Sequence, residues 1–579
     1  MYRKAWFSLL VAAGSVGLIS GSSAVSANAN TSTTITIDPA TGYQTLEGWG
    51  TSLAWFAHVV GGAPNKIRAQ VANLLFSDKT GLGLNVVRYN IGGGENPKYD
   101  FMQFRAAVPG YEPKPGEWNW SADANQRWFL KAAMMRGADE MEAFSNSPPY
   151  WMTISGSVTG SPNGVNNLKR SDYAQFAQYL ATVVSHFKTH WGVTFQTVEP
   201  FNEPMSNWWK FGGTQEGAHF GQGAQNLLIP LLAKDLKNEK SATTIAAPDD
   251  NSIDETYTNL SNYPKRVLRD ISQVNTHSYN GSARGSLSSL AAKDGKNLWM
   301  SEYGDGDETG LTMSEQILLD MKQMQPTAWV YWQALDGASS NNNSWGMLSA
   351  DESSYDVNAF TVNEKYYVMG NYSKFIRPGD QFLAVNDGQS LAAYDWRAQK
   401  LVIVSTNDTL ISRAVNFDLS HFGLGKASVR AYRTTRFKGT DSLKPLVGEK
   451  ISRGVLRDTL PPFSVTTYVV SNADYQPNGT PLKLANLDVH KSTTYRFTGQ
   501  RVLLRGDLGP SAGIAQISID HGAFIDVDLY SAKTAKDVIL YASPTLADGH
   551  HTITIRPTGR KNPLSSGYGL YVTGGISVQ

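Results

Sequence analysis

Two acidic residues are singled out by where they fall in the chain. Glu203 lies at the end of FQTVEPFNEP (195–204), and Glu302 lies near the end of LWMSEYG (298–304). Both stretches read as strands, being short, rich in β-branched or aromatic residues and ended by polar residues or proline. Two carboxyl groups about 5–5.5 Å apart can split a glycosidic bond with retention of configuration. One protonates the departing oxygen and later deprotonates water, while the other attacks the anomeric carbon. Asn202, next to Glu203, offers an amide that can bond a sugar 2-hydroxyl, a contact that tightens as oxocarbenium-like charge develops. Glu199 precedes Glu203 by four residues. At about 3.3 Å per residue it is expected roughly 13 Å deeper along the strand, as a buried salt-bridge partner.

Such a pair, distant in sequence, must be positioned by a larger frame. Eight apolar runs recur between Gly48 and Leu335: GWGTSL, LNVVRYNI, MEAFSNS, FQTVEPFNEP, TTIAAPDD, VNTHSY, LWMSEYG and AWVYWQAL. Helical patterns lie between them, among them residues 171–191 and 314–325, which open on Ser171 and Ser314 as N-caps. This alternation predicts an α/β fold, a (β/α)8 TIM barrel, whose chemistry sits at the carboxyl ends of the strands. Glu203 then ends the fourth strand and Glu302 the seventh. No glycine-rich phosphate loop follows the first run, which argues against a doubly wound open sheet.

From Gly379 to Ser471 long helical windows give way to alternating strands and turns, the pattern of a β-sandwich. The chain is therefore divided into an export segment (1–29), strands joining a side sandwich (30–48), the barrel (49–378), the side β-sandwich (379–472), a linker (473–486) and a C-terminal all-β sandwich module (487–579). In the last, Tyr495, Tyr530, Tyr541, Tyr568 and Tyr571 can form a carbohydrate-binding surface. A structural cap is the competing reading.

Composition narrows the partners. A net charge of +1 with 17% charged residues gives no footprint for nucleic acid or a membrane surface. Fifteen Trp and 26 Tyr suit neutral, ring-shaped polar ligands. Arg3 and Lys4, the apolar stretch Ala5–Ile19 and the small residues Ala24–Ala29 read as a signal peptide, so the protein is expected to be secreted and extracellular. The sequence has no cysteine, so stability must come from packed cores and thiolate chemistry is ruled out. Asp305–Glu308 (DGDE) lacks the spacing of a calcium loop and reads as a solvated acidic loop. No metal and no cofactor are expected, and the enzyme is expected to act as a monomer.

The acid pair and its surroundings resemble the retaining (β/α)8 glycosidases, and within them glycoside hydrolase family 30. The stretches that carry the resemblance are LEGWGTSLAWFAHVVGG (46–62), GLNVVRYNIGGGENP (83–97), SNSPPYWM (145–152), VEPFNEPMSNWWKFGGTQEG (198–217), NTHSYNG (275–281) and KYYVMGNYSKFIRPGD (365–380). It spans roughly residues 35–472. The resemblance implies Glu203 as acid/base and Glu302 as nucleophile. It places Arg88 beside the nucleophile as the cation that keeps it ionised, Tyr279 as the hydroxyl that orients it, and His277 as their neighbour. Trp332 is implied as the platform under the reacting sugar, with Asn146 and Trp151 as sugar contacts. Family 30 spans several substrates, and the loops after strands one and four look most like its β-1,6-galactanase group. In that reading Trp55, Phe56, Trp208 and Trp209 line the cleft and Glu216 binds hydroxyls or lies exposed. The implied partner is a β-galactan polysaccharide or oligosaccharide, cut endo by default. Alternatives are exo release of short oligosaccharides, another family 30 specificity (β-1,6-glucanase, xylanase or β-glycosidase) and an inactive carbohydrate-binding barrel.

Overall fold

The computed structural model describes residues 32–337, 344–484 and 491–579. The expected export segment, residues 1–29, lies outside the described residues. β1 (Thr33–Thr45) precedes the barrel, whose strands are β2 (Gly48–Ser52), β3 (Val86–Asn90), β4 (Glu140–Phe144), β5 (Thr197–Glu199), β6 (Thr244–Ala246), β8 (Ile271–Asn280), β9 (Asn297–Tyr303) and β10 (Ala328–Gln333). All eight pair in parallel, and β6–β8 and β10–β2 complete the ring, so the barrel is closed. The short β7 (Asp250–Ser252) adds to β8 at the mouth.

The strands are buried on both faces, as a parallel sheet wrapped in helices requires. Helix Tyr173–Trp191 presents Phe176, Leu180, Val184 and Phe187 to the core and stops at Gly192, which takes a left-handed φ of 69°. Both expected serine caps are displaced. A 3-10 turn, Arg170–Asp172, leads into that helix, and Asp172 occupies the cap position. The later helix runs Leu311–Leu319 with Gly310 at its cap. It starts early because the Asp307 carboxylate accepts from the Thr309 and Thr312 amides and hydroxyls. Asp305 accepts from buried Lys365. The DGDE stretch is thus a structural brace and not a solvated loop.

β1 belongs to both layers of the side sandwich. Thr33–Thr36 pair in parallel with Arg413–Asp418, and Ile37–Thr45 pair antiparallel with Gln381–Val385. Ile35, Ile37, Leu383, Ile403, Val415, Phe417 and Tyr468 fill the space between the layers. The C-terminal module is a second sandwich of two four-stranded sheets. Thr480–Leu482, expected within the linker, forms a strand that pairs with Val572–Val578. Tyr541 packs in the module core, so it leaves the proposed tyrosine surface, whereas Tyr568 and Tyr571 are exposed.

The module is bolted to the sandwich by Arg501. Its buried guanidinium donates to the carbonyls of Pro39, Ala40 and Ser543 and to the Gln381 side chain. A Cβ on Gly42 would sit 2.5 Å from that guanidinium, so a larger residue there would have to displace it. Leu503 and Ala542 of the module join the sandwich core. His521 meets Gly295, in the loop entering β9, and so the module sits toward the end of the barrel away from its mouth. Arg501→Ala removes the guanidinium donor from the Pro39 and Ala40 carbonyls, while Ser543 keeps the Gln381 amide, and is expected to lower stability by about 2–4 kcal/mol. Urea unfolding checks this, and an unchanged midpoint would mean that the module is tethered rather than docked.

Candidate active site

At the carboxyl end of the barrel one arginine organises the floor. Arg88 of β3 is fully buried and donates to Glu142 Oε1 at 3.2 Å, Glu199 Oε2 at 2.9 Å, Asp249 Oδ2 at 3.0 Å and Glu302 Oε2 at 3.0 Å. The register pairs Arg88 with Glu142 on the neighbouring strand, which puts both inside the barrel. One guanidinium cannot hold four buried carboxylates ionised with equal ease. Burial and the nearby Asp249 and Glu142 charges push the Glu199 carboxyl well up. Burial also raises Glu142 and Glu302 against the pull of their cations. Only at Asp249 do the cations His277 and Arg88 overcome burial, taking that carboxyl down to about 2. The expectation that Arg88 keeps Glu302 ionised is therefore corrected: Arg88 and His277 pull its carboxyl down, but burial is the larger influence.

His277 lies between the acids. Its Nδ1 is 3.2 Å from Glu203 Oε1 and 3.5 Å from Glu302 Oε1. Its Nε2 is 3.1 Å from Asp249 Oδ2, an ion-pair approach outside good hydrogen-bond alignment. Burial alone would lower the imidazolium, but Asp249 and Glu302 hold it well above the usual histidine range, which favours the charged ring. The Tyr279 hydroxyl donates to Glu302 Oε1 at 3.0 Å.

Glu203 reaches this group from a loop. β5 ends at Glu199, and the chain then turns back so that Glu203 takes a left-handed φ of 48°. That conformation costs a non-glycine residue roughly 1–2 kcal/mol. It is held by the Glu203 amide donating to the Asp249 carbonyl at 2.9 Å and by the Trp209 indole donating to the Glu203 carbonyl at 3.1 Å. One expectation changes: Glu203 follows the fourth strand rather than ending it. Glu199 is the buried salt-bridge partner read from the sequence, and the Arg88 guanidinium links it to Glu302.

The cleft at the mouth holds about 490 Å³ and is lined by Trp55, Asn146, Asn202, Glu203, Trp208, Asn251, Tyr279, Glu302, Trp332 and Trp345, among others. Trp55 and Trp332 meet edge-on, ring centroids 5.2 Å apart, as a floor and a wall. Trp55 Nε1, Asn146 Nδ2 and Asn202 Oδ1 are buried without a hydrogen-bond partner, leaving two donors and one acceptor unmatched in the cleft. Sugar hydroxyls would satisfy them.

Several expected contacts do not reach the cleft. Arg88 and His277 are fully buried behind the acids, so they act through Glu203 and Glu302 and do not touch substrate. The Trp151 indole donates to the Glu112 carbonyl and lies off the lining. Phe56 is buried against Phe129. Glu216 is neither exposed nor in the cleft. It is fully buried and accepts from the Gly93 and Gly94 amides and Asn90, joining two loops. Sequence reasoning missed Glu142, Asp249, Asn251 and Trp345. Asp249 and Asn251 follow the fifth strand in PDDNS, where the rule that chemistry sits beyond strand ends would have found them.

Among the described residues, Glu203, His277 and Glu302 form a group whose donor atoms come within 4.8 Å of one another. A cation there would have to displace the imidazolium proton that the surrounding carboxylates favour. One oxygen of each carboxyl group thus lies within 4.8 Å of the other, an approach that suits the closely spaced pair of double displacement.

Residues 32–290 match the family described as O-Glycosyl hydrolase family 30. The chain is 35% identical over 480 residues to an endo-beta-1,6-galactanase of Hypocrea rufa, an alignment covering 78% of this chain and 97% of that protein. It is 26% identical over 634 residues to an exo-beta-1,6-galactobiohydrolase of Bifidobacterium longum subsp. longum, covering 81% of this chain and 41% of that protein. The fold also matches the catalytic domain of a GH30 xylanase C from Talaromyces cellulolyticus, with a TM-score of 0.59 at 22% identity over 76% of this chain and all of that one.

Proposed function

Since the chain belongs to O-glycosyl hydrolase family 30, we propose that it hydrolyses β-1,6-linked galactan by double displacement, with Glu302 as nucleophile and Glu203 as acid/base. The observation that carries the chemistry is that one oxygen of each carboxyl group lies within 4.8 Å of the other, both beside His277, in an aromatic-lined cleft. The sugar and linkage rest on the 35% identity to an endo-beta-1,6-galactanase, which also favours endo over exo cleavage. An extracellular site of action suits a polymeric substrate and residues 1–29.

In the first step the Glu302 carboxylate attacks the anomeric carbon while Glu203 gives its proton to the glycosidic oxygen. The bond to that oxygen breaks, and the remaining galactan leaves with a free 6-hydroxyl. In the second step the Glu203 carboxylate takes a proton from water, the water oxygen attacks the same carbon, and Glu302 departs as carboxylate, giving the β-anomer. Tyr279 and Arg88 hold one oxygen each of Glu302 and so fix its line of attack. Trp332 supplies a face for the sugar, and Asn202 the amide for its 2-hydroxyl.

Because burial raises the Glu302 carboxyl above its ordinary 4.5, kcat/KM is expected to fall on the acid side at a pH above that value, as the nucleophile gains a proton. A pH–rate profile checks this. The substrate reading is tested by a product time course on β-1,6-galactan stripped of arabinose, with β-1,6-glucan and xylan in parallel. A ladder of galacto-oligosaccharides that shortens with time is expected. A single short product from the outset would mean exo release, and cleavage of only glucan or xylan would overturn the choice of sugar.

A further inference from the structure

We infer that Asn251, itself held by Asn280, is a positioning residue that reserves one particular oxygen of Glu203 for proton transfer. The inference rests on the acid/base role proposed above for Glu203. The two carboxyl oxygens have unlike surroundings. Oε1 accepts from Asn251 Nδ2 at 2.6 Å and faces His277 Nδ1 at 3.2 Å. Oε2 meets only the Trp208 indole N–H, at 3.3 Å, and Trp208 is 51% exposed. A proton on Oε1 would confront two N–H groups already directed at that oxygen. On Oε2 it meets one long contact from a ring half in solvent, on a carboxyl group that lines the cleft. The transferable proton therefore belongs on Oε2.

The Asn251 amide turns its nitrogen toward Glu203 and its oxygen toward Asn280. Asn280 Nδ2 donates to Asn251 Oδ1 at 3.1 Å, which leaves the Asn251 N–H groups for Glu203. Asn280 is exposed at the end of β8 and lies off the cleft lining, so it acts on the acid only through Asn251. Asn251 sits in β7, whose neighbour Asp250 is tied by Asn259 Nδ2 at 2.7 Å. The amide thus projects from an anchored segment. Once the proton has left, the donors from Asn251, His277 and Trp208 all stabilise the carboxylate that must act as base in the second step.

The charged and titratable groups around Glu203 are His277, Glu302 and Tyr279 at the mouth, Asp249 and Arg88 behind His277, and Glu255, whose carboxyl is raised first by burial and then by Glu203. None of them is removed by changing Asn251. Loss of its N–H takes away one donor to the charged form of the acid, so the alkaline limb of kcat/KM should move to higher pH.

The test compares β-1,6-galactotetraose, whose leaving group needs a proton, with the 2,4-dinitrophenyl glycoside of β-1,6-galactobiose, whose leaving group does not. In Asn251→Ala the loss in kcat/KM on the tetrasaccharide is expected to exceed the loss on the dinitrophenyl substrate by at least about tenfold, within the 10²–10⁴-fold range of general acid catalysis, and the alkaline limb moves upward. Asn280→Ala, which touches neither acid nor cleft, should show the same pattern with smaller size. Equal losses on both substrates with an unmoved limb would overturn the inference and leave Asn251 as a binding or structural residue. A wild-type enzyme inert on both substrates would defeat the substrate reading instead. A Glu203→Ala variant with no dependence on leaving group would defeat the acid/base role, and both cases are told apart from an indifferent Asn251→Ala in an otherwise sensitive enzyme.

Discussion

Glycine in place of Glu302 is expected to lower galactan hydrolysis by on the order of 10⁵-fold, because without the carboxylate no covalent intermediate forms and the remaining groups supply only binding and acid catalysis. The variant should keep its fold, since Arg88 retains its contacts with Glu142, Glu199 and Asp249. Azide is small enough to occupy the vacated space below the anomeric carbon. With a dinitrophenyl β-galactobioside it should restore turnover and give the inverted α-glycosyl azide. In Glu203→Gly the covalent intermediate still forms from an activated substrate. Azide then attacks from the face of the lost acid/base, giving the β-azide. An α-azide from the Glu203 variant, with no rescue of the Glu302 variant, would mean that the roles are exchanged.

The largest effect on stability is expected at Arg88. Its guanidinium donates to four carboxylates and the Ser301 carbonyl and lies 4.2 Å over the Phe144 ring. Arg88→Met keeps much of the volume and removes the shared cation, which is expected to cost about 3–5 kcal/mol because buried charges are left unpaired. The loss should depend on pH, and its sign follows from the shifts. Asp249, lowered to about 2 from an ordinary 3.8, contributes stability that is present above the ordinary value and lost as pH falls through the lowered one. Glu142, Glu199 and Glu302 are raised, so their protonated forms favour the fold at low pH and each costs stability as pH climbs past an ordinary 4.5. Removing the cation raises these costs. The gap between wild type and Arg88→Met should thus be widest at neutral pH and narrow toward pH 4. Urea unfolding at the two pH values measures it, and a gap that ignores pH would show that packing, not charge, holds the cluster.

Much of this arrangement was legible in the sequence because barrels tie chemistry to strand ends. Tyr279 and Glu302 lie where the sixth and seventh runs end, and their hydroxyl–carboxylate contact follows from adjacent strands in register. Trp55, Asn146, Asn202, Trp208 and Trp332 all line the cleft. What escaped was set by chain reversals and by burial. The turn after Glu199 has no period to read, so the sequence alone puts Glu203 on the strand itself. Glu216 looked like a loop acid because its partners are the amides of Gly93 and Gly94, remote in sequence and carrying no side-chain signal. Glu142, in the middle of an otherwise apolar strand, becomes intelligible only once Arg88 is seen beside it. The helix at Leu311–Leu319 began early because an aspartate four residues upstream could serve its amides as well as the serine that patterning suggested.

The most direct test of the mechanism is to trap the intermediate. A 2-deoxy-2-fluoro β-1,6-galactobioside with a dinitrophenolate leaving group reacts in the first step and stalls before the second, because fluorine destabilises the oxocarbenium-like transition states of both while the leaving group rescues only the first. After digestion, mass spectrometry of the labelled enzyme should find the fluorinated disaccharide on the peptide that carries Glu302. A label on Glu203 or Glu199 would contradict the assignment of the nucleophile, and turnover to an inverted product with no labelled peptide would contradict double displacement itself.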